Sequence, residues 1–330
     1  MLDLAALHRA LARRPRFADL APAALALLPA KGMAHDHARL EGQAAVARVP
    51  HWSQVGLDAQ ANLTHQAACF TRAEACGHTP RLIDTLPPGP DLPMGALVVG
   101  EIVGRPPRLP ADMPAIAQAL AALHRLPLPP LAGRPPLASA ADPVAATLAL
   151  VEKQAAWFES ADLAPQTRRR LDAELAAVRA LPPGPSPVSL IGTDTHPGNF
   201  LIDAGGKAWF TDLEKAQYSL PAIDLAHASL YTSTTWDPDV ATVLSPSEVA
   251  AFYTAWESAA PPALAEAQRP WFRPLRRLVW LRTLSWMARW KVEGAQLTGD
   301  VPPVVREHAR ERIEDFFRPA TVARIADELH

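Results

Sequence analysis

Cysteine is scarce: the 330-residue chain has two, Cys69 and Cys76. That is too few for a disulfide framework. On a shared helix, seven residues separate them by roughly 10 Å of rise, too far for a disulfide. A reduced, cytoplasmic setting is the expectation. Long apolar runs are also missing. None approaches the ~18 residues of a membrane-spanning helix. The first segment, MLDLAALHRALARRPRF, mixes Asp and Arg among its apolar residues and reads as an amphipathic helix rather than a secretory signal. No excess of one charge is present. The net charge of −2 argues against a general nucleic-acid binder and against a protein held on anionic membranes. Lysine is rare, five against 27 arginines, and Lys31 is the only one before Lys153. A mechanism that needs an N-terminal lysine therefore has one candidate.

What remains is a globular composition, 49% hydrophobic and 20% charged, in a chain long enough for two domains or lobes. The first 30 residues read as short helices. Residues 31–50, broken by Gly32 and Gly42, predict two or three short strands ending in Ala45–Val49. Residues 62–76 predict a helix capped by Asn62 or Thr64 and stopped by Gly77. Strand-like stretches follow at 81–84 and 95–103. Gly104 and several prolines then break the chain, and the boundary between residues 1–103 and 104–330 is placed there. Beyond it, 113–126, 143–160 and 165–181 read as helices, 188–212 as strands and loops, and 246 onward as almost entirely helical. The expected class is α+β: a small mixed N-terminal lobe before a larger, mainly helical C-terminal lobe.

The segment Ser189–Asp224 carries the chemistry. Asp194 and Asn199 stand five apart in a loop shaped by Pro197 and Gly198. Phe200–Asp203 and Ala208–Thr211 read as the arms of a hairpin turning at Ala204-Gly205-Gly206. Arms of roughly 13 Å each bring Asp212 back beside Asn199. A carboxylate and an amide oxygen at the open end of a hairpin make a hard oxygen site suited to Mg²⁺. Asp194 is left to meet a substrate hydroxyl. Phosphoryl transfer needs this division of labour.

On these residues the sequence resembles the aminoglycoside phosphotransferase and choline kinase-like superfamily, which has a two-lobed protein-kinase-like fold. Gly192-Thr193-Asp194-Thr195-His196-Pro197-Gly198-Asn199-Phe200 matches its catalytic loop. Phe210-Thr211-Asp212-Leu213-Glu214 matches its metal-binding segment. Pro221–Ala226 with Asp224, and Leu120–Leu126 with His124, match two further motifs. The resemblance spans roughly residues 25 to 295. It implies an ATP-dependent kinase with Asp194 as the catalytic aspartate and Asn199 and Asp212 as ligands of Mg²⁺. Asp224 would brace the loop. Gly32 would lie over the phosphates, and Glu101 and Val103, in the linker around Gly100–Val103, would meet the adenine.

Several positions depart from the pattern. The first loop histidine of the family is Gly192 here, which puts loop rigidity in question. Its phosphate-binding lysine is Arg48, which keeps the charge but is larger and forked. Its orienting helix glutamate is Gln66, with Glu74 as a more distant substitute. Lys31 would supply at most a second phosphate contact. These departures keep a second function class open: a kinase-fold binding or scaffold protein without turnover. Retention of Asp194, Asn199 and Asp212 together favours the enzyme.

Other clusters carry less. His35, Asp36 and His37 invite a metal reading without a third ligand, and Cys69, Cys76 and His78 lack the spacing of a zinc site. His196 reads as a structural loop residue. The basic helix 275–293 reads as packed, with a charged outer face. Six of the nine tryptophans follow residue 235. Most are expected in the core, and Trp280 and Trp286 cannot face one pocket together. Any that line the acceptor site would suit a cationic amino alcohol over a sugar or aminoglycoside. The partner expected is a small hydroxyl-bearing molecule, with no nucleic acid or membrane.

Overall fold

The computed structural model describes residues 2–29, 34–184, 187–294 and 303–329. Five strands form an antiparallel N-terminal sheet: β1 (Leu25–Leu27), β2 (His35–Leu40), β3 (Ala45–Pro50), β4 (Leu82–Leu86) and β5 (Ala96–Gly100). Their spatial order is β1-β2-β3-β5-β4. Strand periodicity sorts the side chains of β3. Ala45, Ala47 and Val49 face a cluster with Leu7 and Leu11 of the helix Leu4–Ala12. Val46 and Arg48 face the other way, and the Arg48 guanidinium lies over the Phe70 ring at 5.4 Å. The β2–β3 turn contains Gly42 at φ 76°, a conformation that favours glycine. Strand β1 lies where only helices were expected, because three residues are too few to show a period.

The helix bearing Phe70 runs Ala59–Ala73, three residues earlier than its sequence signals indicated. Asp58, not Asn62 or Thr64, caps it, accepting from the Ala61 N–H at 2.8 Å. Asn62, His65 and Gln66 are thereby turned to the buried face. Gly77, at φ 71°, ends the short turn that follows.

After β5, Arg105 exchanges two backbone hydrogen bonds with Ile202, 2.9 and 2.8 Å long. A Cβ on Gly104 would meet the Ile202 carbonyl oxygen at 2.8 Å, so only glycine allows this approach. The rest is mainly helical, with two small strand pairs: β6 (Ser189–Ile191) with β9 (Gln217–Ser219), and β7 (Phe200–Ile202) with β8 (Ala208–Phe210). The helix Met113–His124 is buried along most of its length and packs on the helix Pro246–Ala259. One buried cluster contains Phe70, Leu97 and Val99 from the sheet region and Ile116, Phe200, Phe210 and Trp256 from the helical region. At about 1.5–3 kcal/mol per buried large apolar side chain, this shared core holds the sheet against the helices. The helix Phe272–Glu293 buries Leu278, Trp280, Leu281 and Leu284, as its pattern indicated. The architecture is α+β. Among the described residues, no helix is long and apolar enough to cross a membrane.

Candidate active site

The hairpin forms as the Gly-Gly turn required. Phe200 pairs with Phe210 and Ile202 with Ala208, and their rings stack at 5.0 Å. Thr211 closes the open end, donating both N–H (2.9 Å) and Oγ1–H (3.0 Å) to the Asn199 carbonyl. Asn199 and Asp212 are thus held at the same end. The Asn199 side-chain Nδ2 donates to the Asp194 carbonyl at 2.8 Å. Its donor end is therefore used, and the acceptor oxygen is left for another partner.

The loop before Asn199 is fixed from below by Asp224, which is fully buried on the helix Pro221–Ser229. One Asp224 oxygen accepts the Gly192 N–H and the other the Thr193 N–H, each at 2.7 Å. His124 Nε2 lies 3.0 Å from the first oxygen. Trp256 Nε1–H donates to His124 Nδ1 at 3.0 Å. An indole can only donate, so Nδ1 accepts and Nε2 carries the proton given to Asp224. Thr193 sits at φ 67°, a strained position that costs of order 1–3 kcal/mol. Arg282 bonds its carbonyl at 2.9 Å and Gln217 its hydroxyl at 3.1 Å. A Cβ on Gly192 would meet Phe210 Cζ at 2.7 Å and Thr195 Cγ2 at 2.9 Å. The Phe210 ring thus fills the space beside the glycine, and Asp224 supplies the bracing.

Asp194 faces three basic side chains. Lys215 Nζ donates to its Oδ2 at 2.6 Å, and His227 Nδ1 is 3.7 Å from Oδ1. Burial works to raise the Asp194 pKa, but Lys215, His227 and His196 outweigh it and hold the carboxyl well below its usual range. Burial pushes His227 down to about 3 against the opposing pull of the Asp194 charge. Burial is the largest single influence on Lys215 and lowers it, but Asp194, Glu214 and Asp212 together raise it above its ordinary value.

Arg48 bonds Asp212 Oδ1 at 2.7 Å and the Thr211 carbonyl at 3.1 Å, and its Nη1 is 3.2 Å from His37 Nε2. Against the burial that raises it, this guanidinium holds the Asp212 carboxyl low. Gln66 does not orient Arg48. Its amide reaches Glu214 Oε2 at 3.2 Å and His35 Nε2 at 3.3 Å. Glu214 also accepts from Gln54. Burial, then the Asp212 charge, pushes Glu214 up to about 8. His35 and His37 are each pushed down to about 3, first by burial and then by Arg48.

Glu101 donates its N–H to the Ala44 carbonyl at 2.9 Å and its carboxylate accepts from Arg39, while Val103 is 79% exposed. Gly32 and Lys31 lie outside the described residues. Among the described residues, no group of three or more His, Cys, Asp or Glu could hold a metal ion, so neither the His35–His37 nor the Cys69–Cys76–His78 cluster forms such a site. Sequence reasoning placed Glu214 only as the last residue of the metal-binding segment and assigned no role to Lys215, His227 or Arg282. A lysine directly after the Asp212-Leu213-Glu214 motif, in a chain with five lysines, was the available signal.

Solved structures share this architecture. A choline/ethanolamine kinase family protein from Mesorhizobium loti is 17% identical, with a TM-score of 0.58 over 98% of this chain and 97% of that one. Macrolide 2'-phosphotransferase MphH from Brachybacterium faecium is 17% identical, with a TM-score of 0.52 over 94% and 97%. A thermostable mutant of an aminoglycoside phosphotransferase, solved with AMP-PNP and hygromycin B, is 14% identical, with a TM-score of 0.57 over 94% and 98%. At such identities the likeness establishes a kinase-like fold. No curated protein matches by sequence. Residues 37–267, more than two thirds of the chain, match the sequence profile of the phosphotransferase enzyme family, and the chain belongs to that family.

Proposed function

We propose that the chain transfers the γ-phosphoryl group of ATP to a hydroxyl of a small metabolite. The observation that carries this reading is the convergence of Asp194, Asn199 and Asp212 at one end of the β7–β8 hairpin. Asp194, ionised and fixed by the Asp224 brace, orients the acceptor hydroxyl and takes its proton. The Asn199 amide oxygen and Asp212 Oδ2 are the donors that fit Mg²⁺, a hard ion satisfied by a few protein oxygens plus phosphates and water. When bound, that ion offsets charge on the phosphates. Arg48 contributes the basic residue of the nucleotide site. Gln66 acts at one remove, through Glu214. The adenine would lie against the linker, between Glu101 and Val103, where residues 1–103 meet residues 104–330. The free thiols suit a cytoplasmic setting.

An amino alcohol is the favoured acceptor. Trp256 and Trp280 are fully buried and so belong to the core. Trp236, Trp286 and Trp290 adjoin one another at the edge of the cluster that contains Trp280, with Trp236–Trp290 at 5.7 Å and Trp286–Trp290 at 6.1 Å between ring centroids. The residue after Trp236, Asp237, rests on the catalytic loop: a Cβ on Gly198 would meet the Asp237 Cβ at 2.6 Å. Aromatic faces beside one carboxylate suit a single cationic group, each face attracting it by about 0.5–2 kcal/mol. A polycationic aminoglycoside would need more acids.

The test is ATP consumption against choline, ethanolamine, homoserine, thiamine, simple sugars and kanamycin-type compounds. Asp194→Asn should lower kcat by about 10²–10⁴-fold with ATP affinity retained. Asp212→Ala should remove the Mg²⁺ dependence of nucleotide binding. Turnover confined to sugars or aminoglycosides rejects the amino alcohol. Mg²⁺-dependent ATP binding without turnover on any acceptor would favour the silent binding protein, a reading consistent with Arg48 and Lys215 occupying both carboxylates.

A further inference from the structure

Lys215 is placed by a tight turn in which the Ala216 N–H bonds the Leu213 carbonyl at 2.9 Å. Its ammonium lies 2.6 Å from Asp194 Oδ2, and 29% of its side chain is exposed. It also interacts with the charges of Asp212 and Glu214. Lys215 is therefore bonded to the carboxylate assigned to the acceptor hydroxyl and lies three residues along the chain from the one assigned to the metal. In a phosphoryl transfer the migrating group must pass between those two positions. The other nearby cations have fixed partners. Arg48 is held by Asp212 and the Thr211 carbonyl, and Arg282 by the Thr193 carbonyl. A lysine has a flexible stem and three donors, so it can exchange one oxygen partner for another without moving the backbone.

We propose that Lys215 is a catalytic residue that binds the γ-phosphoryl group of ATP, exchanging its ion pair with Asp194 for that contact. The inference rests on the phosphotransferase reading above and assigns a residue that the motif comparison left without a role. Release of the ammonium from Asp194 Oδ2 leaves that oxygen to accept the proton of the attacking hydroxyl. The acceptor oxygen forms a bond to the γ-phosphorus. The bond from that phosphorus to the β–γ bridging oxygen breaks, and its electron pair leaves with ADP. Lys215 remains protonated throughout and balances charge on the non-bridging oxygens. A purely structural ion pair would bring none of this discrimination for the γ-phosphate.

The experiment uses the full chain, with Lys215→Met and Lys215→Arg beside the parent. Calorimetry measures binding of Mg·ADP and Mg·AMP-PNP, and a coupled assay measures ATP consumption with water and with the best acceptor of the panel. The methionine variant should bind Mg·ADP within about twofold of the parent and Mg·AMP-PNP about tenfold more weakly, with ATP consumption down about 100-fold. Arginine should restore part of the AMP-PNP preference. Unchanged AMP-PNP binding, or equal weakening of both nucleotides, overturns the proposal. Should the methionine variant melt far below the parent, the arginine variant decides by the same comparison. A parent that binds neither nucleotide overturns both this proposal and the phosphotransferase reading. A parent that binds both but consumes no ATP sinks the turnover reading and with it the catalytic role of Lys215, while the two-nucleotide comparison still decides whether Lys215 holds the γ-phosphate.

Discussion

Arg48 Nη2 lies 2.7 Å from Asp212 Oδ1. The basic residue of β3 is thereby bonded to the carboxylate at the end of the β7–β8 hairpin, and Gln66 takes no part in holding it. The pair is little exposed, 7% for the Arg48 side chain and 24% for Asp212. It joins the N-terminal sheet to the loop that carries the chemistry.

Removing one member of such a pair leaves the other charge without compensation. Arg48→Met is expected to destabilise the fold by about 3 kcal/mol and to weaken ATP binding strongly, whereas Lys31→Ala should weaken it mildly. Adding Asp212→Asn to Arg48→Met should recover part of the stability. Urea midpoints for the two single variants and the double one check this, and purely additive effects would show that the pair is not coupled.

The Phe210 ring leaves no room for a Cβ at residue 192. Gly192→Ala should cost about 1–3 kcal/mol through overpacking, with a loss of turnover as the Asp224-braced loop shifts. Phe210→Leu, which shortens the obstructing ring, should relieve much of the cost in the double variant. Thermal melts of the single and double variants decide. A Gly192→Ala chain as stable as the parent would mean that the loop adapts freely.

The buried titrating groups set a pH dependence with two limbs. His35, His37 and His227 have folded-state values near 3, below the ~6.5 of an unfolded chain. Between those values the unfolded state binds more protons. Stability is therefore present above pH ~6.5 and lost as pH falls, by about 1.4 kcal/mol per unit for each histidine. Glu214, near 8 in the fold, has the opposite sign. Its contribution is present below ~4.5 and lost as pH rises towards 8. Three histidines outweigh one glutamate on the acid side, so metal-free stability should peak near pH 6.5. Thermal melts from pH 4 to 8.5 check this: His37→Asn should flatten the acid limb and Glu214→Gln the alkaline one. A parent profile that rises steadily to pH 8.5 would contradict the assignment of Glu214.

The sequence by itself determined the local frame of the site. Glycines and polar residues at fixed offsets dictate the β7–β8 hairpin, and arms of equal length return Asp212 to Asn199 whatever surrounds them. Gly77 ends its helical segment for an equally local reason, since its backbone adopts a left-handed conformation that favours glycine. The start of that helix was misplaced because several residues can serve as a cap, and Asp58 is the one whose oxygen meets a free N–H. Long-range partners were decided only by the tertiary structure. Residues 48 and 212 meet because the sheet packs on the hairpin, and this leaves Gln66 facing Glu214 and His35. Lys215 reaches Asp194 across 21 residues, and Trp256 orients His124 across 132. Such contacts depend on where packed elements bring side chains together, and neither a local propensity nor a spacing encodes that.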